Sequence, residues 1–330
     1  MMRFIPTFFT RLCALFLIAA ALHSCAPDKN GIYINDKISS GKRDKFKALT
    51  DQLFAAAKSN DEPTIEGLLS REMLADPKYK RTFEMMYNES KAGKYTILDQ
   101  YYIKTKASDT SYTLRPPDSL YKLPISASTR ETYVALMVLE QGGDKWLATA
   151  VYGNYDYGWR LGELHFDHYA INGKTAPELY ALAKADYNKG FLVDAMNNLE
   201  YATKCLRPAE TWQYKQEDDI AKFYGEVSTD AYNKYNFPII IPAPGSPAIF
   251  RIMTQTMPGG GYAPTIKYLT KIDVRDTVAL KKEFEGVKKV IGKLFPGIDQ
   301  DKKCIIFSAY NKRPEGNSNP LSYDMVDVLK

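Results

Sequence analysis

The sequence is poor in the residues on which most catalytic and metal sites depend. It contains 4 cysteines and 3 histidines in 330 residues, and the spacing of the cysteines excludes a zinc cluster. It also lacks the Gly-x-Ser-x-Gly and His-Glu-x-x-His motifs of hydrolases and metalloproteases. The glycine run at 259–261 lacks the Lys-Ser/Thr pair of a phosphate-binding loop, so we interpret it as a flexible hairpin tip. We therefore predict no metal and no cofactor, and the sequence favours a protein that is not an enzyme.

Positive charge is not concentrated in any one segment. The formal net charge is +5, and 25% of the residues are charged while 45% are hydrophobic. These fractions are typical of a folded globular protein. A protein that binds nucleic acid is expected to have a block rich in Lys and Arg, and no such block occurs here. We predict that nucleic acid is not a partner.

Long hydrophobic runs are absent except near the N-terminus. Arg3 and Arg11 precede an unbroken apolar run over 12–22, and no acidic residue accompanies them. The run has about half of the roughly 20 residues that a membrane-spanning helix needs. A positive start followed by a short apolar core is typical of a secretory signal peptide. We predict that residues 1–24 are this signal peptide and are removed on export.

The residues after the apolar run carry a second export signal. Leu22-His23-Ser24-Cys25 resembles the lipobox of bacterial lipoproteins, with an aliphatic residue three positions before the cysteine and a small residue just before it. The resemblance implies that Cys25 becomes the first residue of the mature chain and carries lipid, including a palmitate-type acyl chain. Several acyl chains meet the requirement for stable anchoring. The alternative is simple secretion with cleavage near Ala21.

Lipidation at Cys25 implies a place and a partner for the mature protein. The membrane would be a partner through the lipid anchor, and the protein would lie in the bacterial cell envelope, facing the periplasm or the exterior. The polar segment 25–42 has no sustained period and is predicted to be the tether. Two cysteines then remain, Cys205 and Cys304, which either pair in this oxidising location or stay separate as buried thiols.

The mature chain begins with helices and continues with strands. Apolar stripes and capping residues predict three helices, the second opened by Asp61 and the third by Asp76-Pro77. Runs of β-branched and aromatic residues predict strands over 95–105, 111–115, 133–139, 145–152 and 159–169. We expect the first two of these strands to pair, a polar loop to follow them, and a β-bulge at Gly162.

This order of elements resembles that of a known family. Helices followed by long antiparallel strands over 43–172, together with the late-strand segment Gly158-Trp159-Arg160-Leu161-Gly162-Glu163-Leu164, are similar to the nuclear-transport-factor-2-like, or SnoaL-like, cone fold. The resemblance implies a curved antiparallel sheet wrapped on helices. The family includes enzymes, small-molecule binders and scaffold domains, so the resemblance alone does not choose a function.

Two further segments complete the predicted α+β architecture. Residues 185–202 resemble the centre of a tetratricopeptide repeat, with a plain helical hairpin as the alternative, and a helix over 216–235 is expected to support them within 173–237. Residues 238–330 are predicted to form a small α+β module. Its strands are expected at 248–256, 262–274 and 304–310, its helix at 277–295, and its tail after Lys312 is expected to be loose.

Two sets of residues are candidates for a functional site. Tyrosine is unusually frequent, with 24 residues, and Tyr155 and Tyr157 lie in a predicted turn where we expect them to be exposed and to bind protein or glycan. The alternative is that these rings cover half-buried sheet. His165 and Asp167 share one face of a strand and are candidates for a general base and its orienting acid.

The leading functional hypothesis is a lipid-anchored, non-enzymatic platform that binds or assembles an envelope protein or glycan. The alternative is an enzyme of the cone-fold kind, an isomerase, dehydratase or hydrolase, with His165 and Asp167 in its pocket. The two hypotheses differ in what the helix-facing side of the sheet should contain: an enzyme needs a deep pocket there.

Overall fold

The computed structural model of the protein describes residues 29–90, 94–257 and 260–329. The predicted signal peptide and Cys25 lie outside the described residues. Within those ranges the chain forms eight helices and fourteen strands, which confirms the predicted α+β class. Three large hydrophobic clusters hold the elements together.

The first unit is a curled six-stranded antiparallel sheet with helices on one face. The helices are α1 (Ser40–Ser59), α2 (Glu62–Leu68), α3 (Arg71–Ala75) and α4 (Lys78–Ser90). The sheet order is β1-β2-β5-β6-β7-β8, with bounds Gly31–Ile34, Tyr95–Lys104, Glu131–Gln141, Asp144–Tyr155, Gly158–Ile171 and Lys174–Thr175. Asp61 caps α2 as predicted, because its side chain accepts from the backbone N–H of Thr64.

Helix α1 is held to the sheet by a ladder of apolar side chains. Phe46, Leu53 and Ala57 recur on one side of the helix and are fully buried. The ring of Phe46 stacks on Tyr133 of β5, with centroids 4.0 Å apart and planes 7° apart. Tyr152 of β6 is also fully buried among these groups. The side of the sheet that faces the helices is therefore filled by side chains.

The opposite face of the same sheet is covered by the second unit, a small sheet with three helices. A small sheet in the order β3-β4-β9 (Thr110–Leu114, Tyr121–Ala127 and Gln213–Tyr214) packs there together with α5 (Ala176–Asn188), α6 (Leu192–Lys204) and α7 (Glu217–Lys234). Tyr101 and Tyr102, neighbours in β2, are both fully buried on opposite faces. Because both faces of the sheet are covered, much of the tyrosine excess is used in packing.

The third unit is a five-stranded mixed sheet with one helix. Its order is β10-β11-β12-β13-β14, with bounds Ile239–Ile240, Ala248–Thr256, Tyr262–Leu269, Cys304–Tyr310 and Ser322–Val328. Only β12 and β13 pair in parallel, and α8 (Thr277–Leu294) makes the crossover that such a pair requires. Leu192 and Val193 of α6 belong to the core of this unit, so the three units are packed together.

The structure confirms one predicted irregularity and corrects three predictions. The register of β6 and β7 shifts where Val151 faces Glu163 and Tyr152 faces Leu161, so Gly162 is the extra residue of a bulge. The predicted pairing of 111–115 with 95–105 was wrong: β3 pairs with β4, in a segment predicted to be loop. Pro124 argued against a strand here, because proline has no backbone N–H to donate to a neighbouring strand. The strand tolerates it because β9 pairs only with Tyr121 and Lys122 and leaves β4 without a second strand partner at Pro124.

The two other corrections concern the ends of the chain. The tail after Lys312 is not loose throughout, because β14 pairs with β13 at seven positions, from Ser322 to Val328. The predicted tether over 25–42 was wrong from Gly31 onward. Its residues from Gly31 form strand β1, a 3-10 helix over Asn35–Lys37 and the start of α1, and β1 pairs with β2.

The strand register places two turns at opposite ends of the large sheet. Gly31 pairs with Lys104, and Gly153 pairs with Thr132, so β1 begins at the end that carries the β6–β7 turn. We call this the entry end. The β5–β6 turn at Gly142 and Gly143 lies at the other end, which we call the junction end. Strand β6, with 12 residues, separates the two ends by about 40 Å at roughly 3.3 Å per residue.

Candidate functional site

The C-terminal unit docks onto the junction end through a glycine contact. A Cβ on Gly260 would lie 3.0 Å from the Cα of Gly142, closer than side chains normally approach a backbone, and the φ of Gly260 is +96°. The segment after β11 is thus pressed against the β5–β6 turn. Our interpretation of this glycine run as a flexible tip was wrong at Gly260 and Gly261, where close approach explains the need for glycine.

A buried carboxylate fixes this docking. Asp144 is only 4% exposed, and its two oxygens accept from the backbone N–H groups of Asn172 (2.8 Å) and Gly261 (2.9 Å). The side chain of Asn172 in turn donates to the carbonyl of Tyr262 (3.1 Å) and accepts from its N–H (3.0 Å). Three of these four hydrogen bonds join the large sheet to the β11–β12 hairpin, and the bond from Asn172 to Asp144 fixes the sheet side of the contact.

A second attachment joins the C-terminal unit to helix α6. The ammonium of Lys302 lies 3.0 Å from Oδ1 of Asp194 and donates to the carbonyls of Gly297 (2.7 Å) and Gln300 (2.6 Å). A Cβ on Gly297 would overlap the ring of Phe191 and lie 2.7 Å from Oδ2 of Asp194. The loop between α8 and β13 is thereby held in close contact with the first turn of α6.

A cavity of about 440 Å³ lies between the two attachments. This volume is within the range of pockets that bind small organic molecules. Its walls come from α5, α6, the β5–β6 turn, the β11–β12 hairpin and the loop before β13. Their apolar members include Leu179, Leu182, Phe191, Met257, Pro264 and Cys304. The cavity thus lies where all three units meet, and we call it the junction cavity.

The floor of the cavity is polar and buried. Asp186, Asp194, Asn197 and Tyr201 line it, and each is less than a tenth exposed. Oδ2 of Asp186 accepts from the amide of Asn198 at 2.8 Å. Nδ2 of Asn197 and the hydroxyl of Tyr201 have no hydrogen-bond partner among the described residues. A buried polar group without a partner costs about 1–3 kcal/mol, so these two groups are suited to binding a ligand or ordered water.

Burial also changes the acidity of the two floor carboxylates. It raises the pKa of Asp194 to about 6, against the opposing effect of the neighbouring Lys302 ammonium. It raises the pKa of Asp186 as well, despite the hydrogen bond from Asn198. Perturbed acids that converge in a cleft are a common property of functional sites. With a pKa of about 6, Asp194 is mainly ionised at neutral pH, so the floor carries negative charge.

The mouth of the cavity has the opposite charge. Lys174, Lys189 and Lys303 line it and are exposed, and Lys145 lies 3.8 Å from Glu140. With Asp301 as the other acidic residue, the rim carries two more positive than negative charges. The cavity therefore has a negative floor and a positive rim.

Neither of the predicted catalytic residues lines this cavity. His165 of β7 faces Thr149 of β6 and lines an open groove of about 750 Å³, whereas Asp167 is exposed and does not line that groove. Oδ1 of Asp167 accepts from the backbone N–H of His168 instead. Glu163, two residues before His165, does line the groove, and burial raises its pKa. The acid beside His165 is thus Glu163, which we did not predict from the sequence.

The predicted binding tyrosines are less exposed than expected. Tyr155 and Tyr157 are half-buried, and their rings stack with centroids 5.2 Å apart. The guanidinium of Arg71 lies 4.4 Å from the ring centre of Tyr157, and the hydroxyl of Tyr157 accepts from the backbone N–H of Arg71 at 3.3 Å. The expectation of substantial exposure was wrong, because α3 packs against this turn.

The described ranges bear on three other expectations. Cys205 and Cys304 are both free and buried, so they do not pair. No group of three or more His, Cys, Asp and Glu side chains able to hold a metal ion occurs in the part of the chain that the structure describes. Among the helices of that part, none has both the length and the apolar character needed to cross a bilayer.

The cavity floor was missed although the sequence contains a signal for it. Asp194, Asn197 and Tyr201 recur at helical spacing along α6, on a helix whose other buried positions are apolar or small. A polar stripe among the apolar and small positions of a helix in a predicted hairpin indicates a buried polar site. The partner loop 297–303 could not be assigned to it, because that contact spans about 100 residues of sequence.

Comparison with protein-family models, with curated proteins and with solved structures found no match to this chain. The resemblances to a lipobox, to the nuclear-transport-factor-2-like fold and to a tetratricopeptide repeat therefore stay predictions.

Proposed function

We propose that the protein is an exported lipoprotein, anchored to a membrane of the bacterial envelope through Cys25, that acts as a non-enzymatic binding platform for protein or glycan. The observation that carries the binding role is the junction cavity, where buried polar groups without partners converge in a space of about 440 Å³. The cone-like domain and the helical hairpin supply its walls together with the C-terminal unit.

The arrangement of the large sheet supports the anchored role. The folded body begins a few residues after Cys25, and β1 enters the sheet at the entry end. The cavity lies at the junction end, about 40 Å away along β6. An anchor at Cys25 then holds one end of the body near the membrane and leaves the cavity accessible from the aqueous side.

An enzyme of the cone-fold kind is the second candidate, and the groove at His165 and Glu163 is the observation in its favour. Two features weigh against it. The helix-facing side of the sheet is filled by Phe46, Tyr133 and Tyr152, and the groove is open to solvent rather than enclosed. General acid–base chemistry benefits from a site that excludes water.

Anchoring is tested by metabolic labelling with a palmitate analogue in wild type and Cys25→Ala. We expect label and membrane association in wild type and neither in the variant. A soluble wild-type protein, or equal labelling of both, contradicts the anchor.

Binding in the cavity is tested with a filling variant. Leu182 lines the cavity and is half-buried, so Leu182→Trp should occupy part of the space. The matched control is Leu74→Trp on α3, where the side chain is 43% exposed. We expect a glycan or peptide fraction of the envelope to raise the melting temperature of wild type and control but not of Leu182→Trp. Equal shifts in all three proteins would place binding elsewhere, and no shift with any fraction would contradict the proposal.

A further inference from the structure

The charge distribution of the junction cavity points to a ligand that is itself charged at both ends. The floor holds two carboxylates, Asp186 and Asp194, against the single ammonium of Lys302. Lys302 donates to two backbone carbonyls, and Oδ1 of Asp194, 3.0 Å from its ammonium, accepts no hydrogen bond among the described residues. The floor can therefore accept an additional positive group.

The cavity floor also holds two buried polar groups that have no hydrogen-bond partner among the described residues. Nδ2 of Asn197 is a donor, and the hydroxyl of Tyr201 both donates and accepts. Asn197 is 7% exposed and Tyr201 4% exposed, so bulk water does not supply their missing hydrogen bonds. These side chains are independent of the acidic pair and indicate that the floor is built to contact a polar group.

The rim supplies the complementary charge. Lys174, Lys189 and Lys303 are exposed at the mouth, where their flexible stems can reach a negative group on a bound molecule. Leu179, Leu182 and Pro264 lie among the walls and can cover an apolar middle part. Each region of the cavity thus matches one part of a small amphoteric molecule.

We propose that the cavity binds a small zwitterion of the amino-acid or short-peptide class, with its ammonium at Asp186 and Asp194 and its carboxylate at the rim lysines. This inference rests on the proposed binding function and specifies its ligand class. An ammonium between the two carboxylates would neutralise the floor. The carboxylate would pair with side chains that remain partly in water, so the floor contact should contribute more to affinity than the rim contact.

The first test varies the ligand and leaves the protein unchanged. Trialanine and 6-aminohexanoate are titrated calorimetrically into the folded mature protein, each beside its N-acetylated and its carboxamide form. We expect N-acetylation to weaken binding at least tenfold, as for a lost buried charge contact, and amidation to weaken it about threefold, since the rim is exposed. Equal affinity for all three forms would overturn the proposal.

The second test varies the protein. Asp194→Asn keeps the shape of the side chain and should weaken trialanine binding about tenfold, whereas Lys189→Gln with Lys303→Gln should weaken it about threefold and reduce its salt dependence. Lys222→Gln, on the surface of α7, is the control and should bind as wild type does. Loss of binding in the control, or none in Asp194→Asn, would overturn the assignment.

The outcomes also separate this inference from the function on which it depends. Neutral oligosaccharides that raise the melting temperature, with the shift lost in Leu182→Trp, would overturn the zwitterion and leave the binding platform in place. If neither zwitterions nor envelope fractions bind, both proposals fall.

Discussion

The ion pair between Asp194 and Lys302 makes a quantitative prediction about stability. The side chains are 7% and 18% exposed, and the pair lies at the contact between α6 and the loop before β13. We consider Lys302→Met, which keeps much of the apolar stem and removes the ammonium. The variant leaves a buried carboxylate without its counter-charge and two carbonyls without their donor.

The cost of this change should depend on pH. Breaking a buried pair by removing one partner costs about 3–5 kcal/mol, and the partial exposure of Lys302 puts the expected loss at about 3 kcal/mol at pH 7.5. The pKa of Asp194 is about 6 in the folded protein, above its ordinary value of 3.8, so protons bind preferentially to the folded state between these values. At pH 5 Asp194 is mostly protonated, and only the loss of the carbonyl contacts remains, about 1 kcal/mol.

The assay is urea unfolding of wild type and Lys302→Met at pH 5 and pH 7.5. Comparing the two proteins at each pH cancels the titration of other carboxyl groups. Lys222→Met, whose ammonium lies 4.0 Å from Glu226 on the exposed surface of α7, is the matched control and should change stability by less than about 0.5 kcal/mol at both values. An equal loss at pH 5 and pH 7.5 would refute the reasoning, because it would mean that Asp194 carries no buried charge.

Three further predictions concern close packing contacts, two between units and one within the first unit. Gly297→Ala should lower the free energy of unfolding by about 3 kcal/mol, because its Cβ overlaps Phe191, whereas Gly316→Ala, also at positive φ but with open space around it, should cost about 1 kcal/mol in the same denaturation assay. Asp144→Ala should cost about 2–3 kcal/mol and speed amide exchange at Gly261, and Asp144→Asn, which keeps one acceptor, should show a smaller effect; normal exchange in Asp144→Ala would contradict the docking role. Replacing Tyr155 and Tyr157 together by Ala should lower stability by about 2 kcal/mol because the rings are packed, and an unchanged melting temperature would restore them as a binding surface.

Local elements could be predicted from the sequence because their signals are local. The Asp61 cap, the αL residue Asn60 at the end of α1 and the apolar stripe of α8 each depend on residues within a few turns of one another. The bulge at Gly162 was predictable because the apolar alternation changes phase at that residue. These features need no knowledge of distant contacts.

The candidate site was not predictable in the same way. The cavity requires Asp194 to meet Lys302 and Asp144 to meet Gly261, contacts that join residues about 110 positions apart. Asp144 directly follows two turn glycines, and in the sequence it looks like an ordinary exposed turn residue. Strand β4 was hidden by Pro124, whose cost depends on whether a neighbouring strand lies on its open side. Pairing partners, and hence sites between units, are decided by tertiary packing rather than by local preference.

The opposition of the entry and junction ends sets the height at which an anchored molecule would work. From Cys25 to Gly31 the chain can span at most about 20 Å, at 3.3–3.6 Å per residue. The large sheet adds about 40 Å when it stands upright. The cavity would then lie about 40–60 Å above the bilayer surface, depending on how far the segment from Cys25 to Gly31 is extended, and therefore beyond the lipid headgroups. An anchored protein would then reach molecules that diffuse through that layer, and it would reach molecules embedded in the membrane only with its long axis parallel to the bilayer.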